Sequence, residues 1–579
     1  MLNKEWLRNS LFFALTLFFA VMAIPAAVFA VDGGDEDGPK AQAIADSLSS
    51  KRVKSPAIVL KQRVEAQMPK PVIPAGKTKI SEVSVVGSTI LAPEAINKLK
   101  AEYENRELSA RQIQMVADTV TRAYTREGYI TSFGVVNTDK LSAGILEIQV
   151  SEGRTGKIII EGNQTFSTEI LRKKVGLQEG DLFNFKELNN DLYKMNKHPD
   201  RKVALTCDPN VATGFTDITL TVKDKSPLHV TLQTDNYGSE FINYRRYKTF
   251  FTNNNLTGHD DSITFKAQLT EGNTHKLYDA DYFLPLNRNW KLELYYMPYK
   301  KEDYVGSDNP DTDFEKHAHK WYFWFYQSLV DQPDFELSSQ YGYVQKDIHW
   351  WKYGRQQSSD LFRALMWGLD FNRADKYGRW VISNDLEIGI PRLFGGSTRE
   401  DDSTSVKGAG SGYKKNHLVI ARRQKLFNGI DFITKGHWQL SNQSLTGVNV
   451  FSVGGFMGVI DDRGYPRAQA PGDSGQSLMA GFTFPPFGVS RSMNVPGSKT
   501  KMYDAIKLFT FMDWAKATLK NPQPTDAKRV ELASAGFGFT FTVPDKSLST
   551  RVDVGWPLTE DEPKDGDSPH IWWCVTKGF

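Results

Sequence analysis

GGFMGVIDDRGYPRAQAPGDSG, residues 454–475, is the stretch on which the fold is read. Its glycines and prolines mark a loop. It is too long for a simple turn, and long loops inside compact domains are usually functional or disordered. Arg463 sits between acidic Asp462 and the turn Gly464-Tyr465-Pro466. Some fifty residues on, LFTFMDWAKA (508–517) has strand character and carries one acid, Asp513, among apolar neighbours. A charge removed from water without a partner costs several kcal/mol, so Arg463 and a buried-looking Asp invite pairing. The expectation is that Arg463 reaches Asp513 inside a β-barrel. The alternative is that both are solvated, since Arg and Asp are rarely fully buried.

Working outward, residues 228–579 read as dyads without helices. In DSITFKAQL, Ile263, Phe265, Ala267 and Leu269 face one way, and Ser262, Thr264, Lys266 and Gln268 the other. WKLELYYM, DLEIGI and RVDVGW alternate likewise, with Asp385, Glu387, Arg551 and Asp553 on the polar face. The pattern alone does not say which face is inside. Export, the aromatic clusters WYFWFYQSL and WGLDF as interface girdles, and the final strand IWWCVTKGF ending at Phe579 favour a membrane barrel. The length allows about sixteen strands, within the 8–26 of bacterial barrels. A barrel that wide has a polar lumen unless something fills it, which gives the Arg463 loop, residues 454–476, a place to go.

Residues 79–227 repeat one order of elements. ISEVSVVGST is a strand ending at Gly87, two helices follow, and GILEIQVSEG is a half-buried strand with Leu146, Ile148 and Val150 on one side. In the second helix Ile113, Val116, Ala117, Val120 and Tyr124 fall on one face. GKIIIEGNQT, ending at Gly162, restarts the series. The result is two β-α-α-β-β domains, 79–153 and 154–227. Such domains have an open strand edge, which accepts an extended peptide by strand addition.

At the start, Lys4 and Arg8 precede an apolar run from Leu11 to Ile24 and a small-residue site at Ala30. Residues 1–30 therefore read as a secretory signal peptide. Residues 31–78 follow as a helix-friendly segment, Ala41–Met68, and a Pro-rich linker. That helix is a plug, a partner-binding segment or a tether. Mean hydropathy is negative, so the chain holds no bundle of membrane helices. A net charge of +3 is too balanced for a nucleic-acid binder. The two cysteines, Cys207 and Cys574, form no disulfide framework, and the histidines lack ligand spacing, so no metal or other cofactor is expected.

With these segments in order, the chain resembles the outer-membrane transporters of two-partner secretion, the haemolysin-activator type, within the superfamily of outer-membrane assembly barrels. The resemblance is carried by NNNLTGHDDSITFKA from Asn253, YDADYFLPLNRNWKLEL from Tyr278, FSVGGFMGVIDDRGYP leading to GDSG, ASAGFGFTF and RVDVGWPL. The family's loop motif falls on Asp462-Arg463-Gly464-Tyr465, with Asp462 in place of an apolar residue. Its barrel-wall motif falls on Phe511, Asp513 and Ala515, with Ala515 in place of Gly and expected to crowd the loop tip. The fold implied is mainly β: a sixteen-stranded transmembrane barrel preceded by two periplasmic POTRA domains and an N-terminal plug helix.

The resemblance implies protein export. A large exoprotein docks by its N-terminal secretion domain on the POTRA domains and passes through a barrel set in outer-membrane lipid. The barrel assembly machinery engages Phe579. Arg463, Gly464 and Tyr465 form the functional loop, and Phe511 and Asp513 its partners on the wall. No GxxxxGK loop is present, so no nucleotide is expected. Three other readings compete. An insertase for other barrels would show itself if depletion removed barrel proteins from the membrane. A passive pore would not need the two periplasmic domains. GDSG at Gly472–Gly475 suggests a serine protease, but Gln476 replaces the second glycine of that motif and no histidine-bearing partner motif precedes it; the chain is not expected to be an enzyme.

Overall fold

A computed structural model describes residues 58–60, 71–240, 242–304, 314–456, 461–524 and 526–579. The expected signal peptide and most of the expected plug segment lie outside these residues. The described chain divides into two bodies, meeting between Pro227 and Leu228 in sequence.

The first described element of the first body is a strand, β1 (Ile58–Leu60). This corrects the helix expected over Ala41–Met68 at these three positions, which are extended. Three residues carry no periodicity to distinguish strand from helix, and β-branched Ile58 and Val59 suit either a strand or a neighbouring sheet. Then come β2 (Lys77–Ile80), β3 (Glu82–Val86), α1 (Pro93–Tyr103), β4 (Arg106–Ser109), α2 (Ala110–Glu127), β5 (Phe133–Asn137) and β6 (Ile145–Ser151). Helix α2 starts at a capping box of Ser109 and Gln112 and stops at left-handed Gly128. Its buried residues are the five that helical spacing selects, Ile113, Val116, Ala117, Val120 and Tyr124. Each large one contributes about 1.5–3 kcal/mol by leaving water.

The order then repeats as β7 (Arg154–Glu161), α3 (Thr168–Lys174), α4 (Phe185–Asn196), β8 (Arg201–Asn210) and β9 (Phe215–Asp224). In each sheet the first strand runs parallel to the last and the middle strand antiparallel to it, β3–β6–β5 and β7–β9–β8. The repeat extends to single residues. Gly87 and Gly162 follow the two first strands at φ +82° and +81°, and a Cβ on either would strike a strand carbonyl, Val150 O at 2.8 Å or Val222 O at 2.6 Å. An acid at the end of each last strand holds the loop beyond that glycine. Glu152 accepts from Thr89 N (2.7 Å), and Asp224 from Gln164, Thr165 and Phe166 N.

The second body is a closed barrel of sixteen strands, from Leu228–Asp235 to His570–Gly578. The last strand closes on the first with Thr231 opposite Gly578 and Asp235 opposite Cys574. Cys574 and Cys207 are both free thiols, Cys207 buried in the core of the second repeat.

The polarity of the barrel is inverted. Phe265 and Met512 are 51% and 63% exposed, whereas Gln268 and Asp513 on the same two strands are 3% and 2% exposed. Asp235, Arg246, Glu293, Gln340, Asp370, Glu387 and Lys415 are buried too, while Leu365, Tyr296 and Phe537 face outward. Water on the outside would penalise that arrangement around the whole circumference; hydrocarbon outside and a polar interior satisfy it. The apolar face of each dyad is thus the lipid face.

The aromatic run at 321–326 does not form one girdle. Trp321 is exposed, while Tyr322 and Trp324 are buried on the interior side. Tyr322 stacks on Tyr295 at 4.7 Å and donates to Glu293 at 2.8 Å; Tyr326 donates to the same carboxylate. Alternation sends every second ring inward, and an all-aromatic run has no polarity contrast to reveal it.

Candidate functional site

The strands Asp431–Ser441 and Ser474–Phe484 are neighbours in the barrel, and the chain between them folds inward. Two short ladders shape this loop: Phe451–Val453 pairs with Ala470–Gly472, and Gly455–Phe456 with Asp461–Asp462. The second ladder brings Arg463 to the tip. Residues 457–460 lie outside the described residues.

Arg463 is buried and meets the wall through its guanidinium. Its Nε donates to Asp513 Oδ2 at 2.8 Å and its Nη2 to Asp513 Oδ1 at 2.7 Å. Its backbone N–H also donates to Oδ2, at 3.2 Å. This is the two-pronged geometry in which Arg surpasses Lys. The remaining nitrogen, Nη1, donates to Asp553 Oδ1 at 2.9 Å. Asp553 in turn accepts from Arg551 Nε and Nη2 at 2.7 and 2.8 Å. The chain Asp513–Arg463–Asp553–Arg551 alternates in charge, so each buried ion has an opposite partner. Lys435 pairs with Asp461 at 2.6 Å beside it.

Aromatic rings form the floor of this network. The Arg463 guanidinium lies 3.4 Å from the centroid of Phe511, and that of Arg551 4.6 Å from Phe509, a desolvated setting in which cation–π attraction is strongest. Phe511 pairs across the sheet with Gly536 and Phe509 with Gly538. A Cβ on either glycine would lie 2.4 Å from the ring opposite, so the glycines let both rings lie on the wall.

The loop tip touches the wall backbone to backbone. A Cβ on Gly464 would come within 2.7 Å of Pro557 N and Trp556 C, and one on Gly555 within 2.5 Å of Arg463 O. Trp572 Nε1 donates to Arg463 O at 2.9 Å. Tyr465 is fully buried, its hydroxyl 2.5 Å from Thr559 Oγ1. Ala515 packs with Tyr465, Val453 and Phe451 in a small apolar cluster.

The structure therefore brings together Arg463, Gly464, Tyr465, Phe511 and Asp513. Sequence reasoning missed Asp553 and Arg551 as partners, although it placed both on a polar strand face, and missed Gly555, Gly536 and Gly538. Isolated glycines inside strands are the signal that was available. At GDSG, the Asp473 carboxylate accepts from the backbone N–H groups of Leu445 (2.6 Å) and Lys520 (2.7 Å), and Ser474 Oγ accepts from Ser441 N (3.0 Å). These groups hold the root of the loop.

Comparison with known proteins agrees with this architecture. Residues 214–541 match the family described as haemolysin secretion/activation protein ShlB/FhaC/HecB. Residues 78–153 match the ShlB-type POTRA domain, and residues 154–200 the POTRA model described as a surface antigen variable number repeat. The outer membrane transporter CdiB of Dickeya dadantii is 28% identical over 491 residues, 83% of either chain. The hemolysin transporter protein ShlB of Serratia marcescens is 25% identical over 438 residues, 72% of this chain and 74% of that protein. Among solved structures, CdiB from Escherichia coli shares the fold at a TM-score of 0.72 and 20% identity, covering 93% of this chain and 96% of that one. CdiB from Acinetobacter baumannii does so at 0.64 and 14%, with the same coverage.

Proposed function

The chain belongs to the haemolysin secretion/activation family of ShlB, FhaC and HecB, and from that premise we propose how it moves its cargo. It is an outer-membrane transporter of two-partner secretion, with a transmembrane barrel and periplasmic POTRA domains. Its partner is a secreted exoprotein.

The exoprotein's N-terminal secretion domain docks on the two POTRA domains, where an exposed strand edge offers main-chain hydrogen bonds and flanking apolar residues give selectivity. It then passes through the barrel interior. The Arg463 loop shapes that conduit, and the pairing with Asp513 fixes it to the wall. The observation that carries this reading is the buried ion network at the loop tip, set inside a barrel whose wall is polar within and apolar without. A folded loop occupying part of a wide lumen narrows it, and a loop held by few side chains is one that a few substitutions release.

The test is secretion by Arg463→Ala in cells. We expect the barrel to insert and the exoprotein to accumulate in the periplasm. Normal secretion would remove the loop from the mechanism. Depletion of the protein separates the insertase alternative: loss of other barrel proteins from the membrane would support it, whereas one exoprotein trapped in the periplasm supports transport.

A further inference from the structure

The edge of the second POTRA domain is occupied by the chain itself. β5 and β8 are equivalent in the repeat, each at the outer side of its sheet. Among the described residues no strand pairs with the outer side of β5, whereas β8 carries β1 in parallel. Ile58 stands opposite Leu205, Val59 opposite Thr206 and Leu60 opposite Cys207.

The acceptor edge of β8 is closed at one end. The N–H and C=O of Val203 are both bonded by the side chain of Asn196 at 2.9 Å, so they point away from β9. Strand geometry repeats every two residues, so Leu205, Cys207 and Pro209 also present their backbone outward. Pro209 has no N–H to donate. The described pairing on this edge runs from Leu205 to Cys207. The register sets Val59 between those two residues, the position from which a parallel strand bonds to both.

Among the described residues of β1, one side chain is anchored. Ile58 packs against the core of the second domain, but Val59 and Leu60 are 53% and 43% exposed. Exposed side chains such as these belong to the parts of a fold that open first.

We propose that Ile58–Leu60 is a built-in placeholder for an incoming extended segment of the exported partner. The partner engages the open β5 edge first and reaches β8 only by displacing β1. The segment that fits is extended and carries a branched apolar side chain where Ile58 now sits. This proposal rests on the reading that the exoprotein docks by strand addition.

The test uses the full-length protein in lipid nanodiscs and a fluorescent peptide of residues 55–63 (SPAIVLKQR) as probe. Val59→Pro removes the N–H of the placeholder's central residue and frees the edge. The pair Val59→Cys and Thr206→Cys, opposite each other in the register, locks β1 in place when oxidised. We expect Val59→Pro to bind the peptide at least tenfold more tightly than the unmodified protein. The oxidised lock should bind none, and reductant should restore binding. Equal binding by all three forms, or none by Val59→Pro, overturns the proposal. A second arm measures exoprotein secretion by the lock in cells, with and without reductant. Secretion that falls when locked and recovers on reduction supports competition with cargo. If the peptide behaves as expected but the lock secretes normally, the edge is a strand acceptor that the cargo does not use; docking at β8 and the cargo-placeholder role then fail together, while self-occupation of the edge stands.

Discussion

The ion network at the loop tip makes an ordered prediction. Asp513 accepts three hydrogen bonds from Arg463, two from the guanidinium and one from the backbone, whereas Asp553 accepts one and is also held by Arg551. Asp513→Asn should therefore undock the loop, and Asp553→Asn should weaken it less. Removing one partner of a buried pair costs about 3–5 kcal/mol. That lowers the docked-to-undocked ratio of the loop by a factor on the order of a hundred to several thousand. The assay is trypsin added to intact cells. The Arg463–Gly464 bond is buried in the docked loop, and it is cut once the loop swings free. Heat-dependent gel mobility checks in parallel that the barrel is folded. Asp513→Asn should be cleaved in a folded barrel, Asp553→Asn more slowly, and the unmodified protein least. Arg463→Lys keeps the charge but loses the fork, and should be cleaved nearly as fast as Asp513→Asn. The reasoning is refuted if Asp513→Asn stays as protected as the unmodified protein, or if Asp553→Asn is the more readily cleaved of the two.

Gly464→Ala should release the loop as effectively as loss of charge, because its Cβ would meet wall backbone at 2.7 Å; trypsin protection equal to the unmodified protein would show that the wall yields. Tyr465→Phe removes only the hydroxyl contact with Thr559 and should cost about 0.5–1.5 kcal/mol, leaving secretion close to normal; severe loss would mean that the hydroxyl has another role. In the periplasmic body, burial raises Glu152, but hydrogen bonds from Tyr124 and Thr89 outweigh it and hold the carboxyl below its ordinary range. Asp224 is lowered in the same way, burial being outweighed by the N–H groups of Thr165, Phe166 and Gln164. A depressed folded pKa stabilises fully above the unfolded value, about pH 4, and the gain is lost as pH falls through the folded value. Hydrogen-exchange protection at Thr89 and Thr165 should decline through that acid window, relative to core amides, and constant protection down to pH 2 would contradict the assignment.

Much of the architecture is legible in the residues because each element has a strong period. Helix α2 is an example, with its five core positions set by spacing alone, and Ile263 to Leu269 is another, with its strict alternation. What alternation does not carry is the sign of the solvent; only the closed sheet, with Asp513 inside and Met512 outside, supplies that. At the wall, Asp513 stands out as the one acid in an apolar strand, and at the loop Arg463 is marked by the Gly464-Tyr465-Pro466 turn that follows it. Asp553 and Arg551 do not, because they sit in a regular dyad that reads as an ordinary polar face. Gly464 and Gly555 meet only after the loop folds onto a strand ninety residues away, so no local pattern records their contact. β1 was missed for the opposite reason: its partner, not its own sequence, makes it a strand.

The central claim is that cargo travels through the barrel interior. The direct measurement places a photo-cross-linking residue at position 268, on the inner face, or at position 265, on the lipid face of the same strand, and stalls the exoprotein in transit with a folded fusion domain. The account predicts exoprotein adducts from position 268 and none from position 265. Adducts from position 265 alone, or from neither position during verified transit, would contradict it.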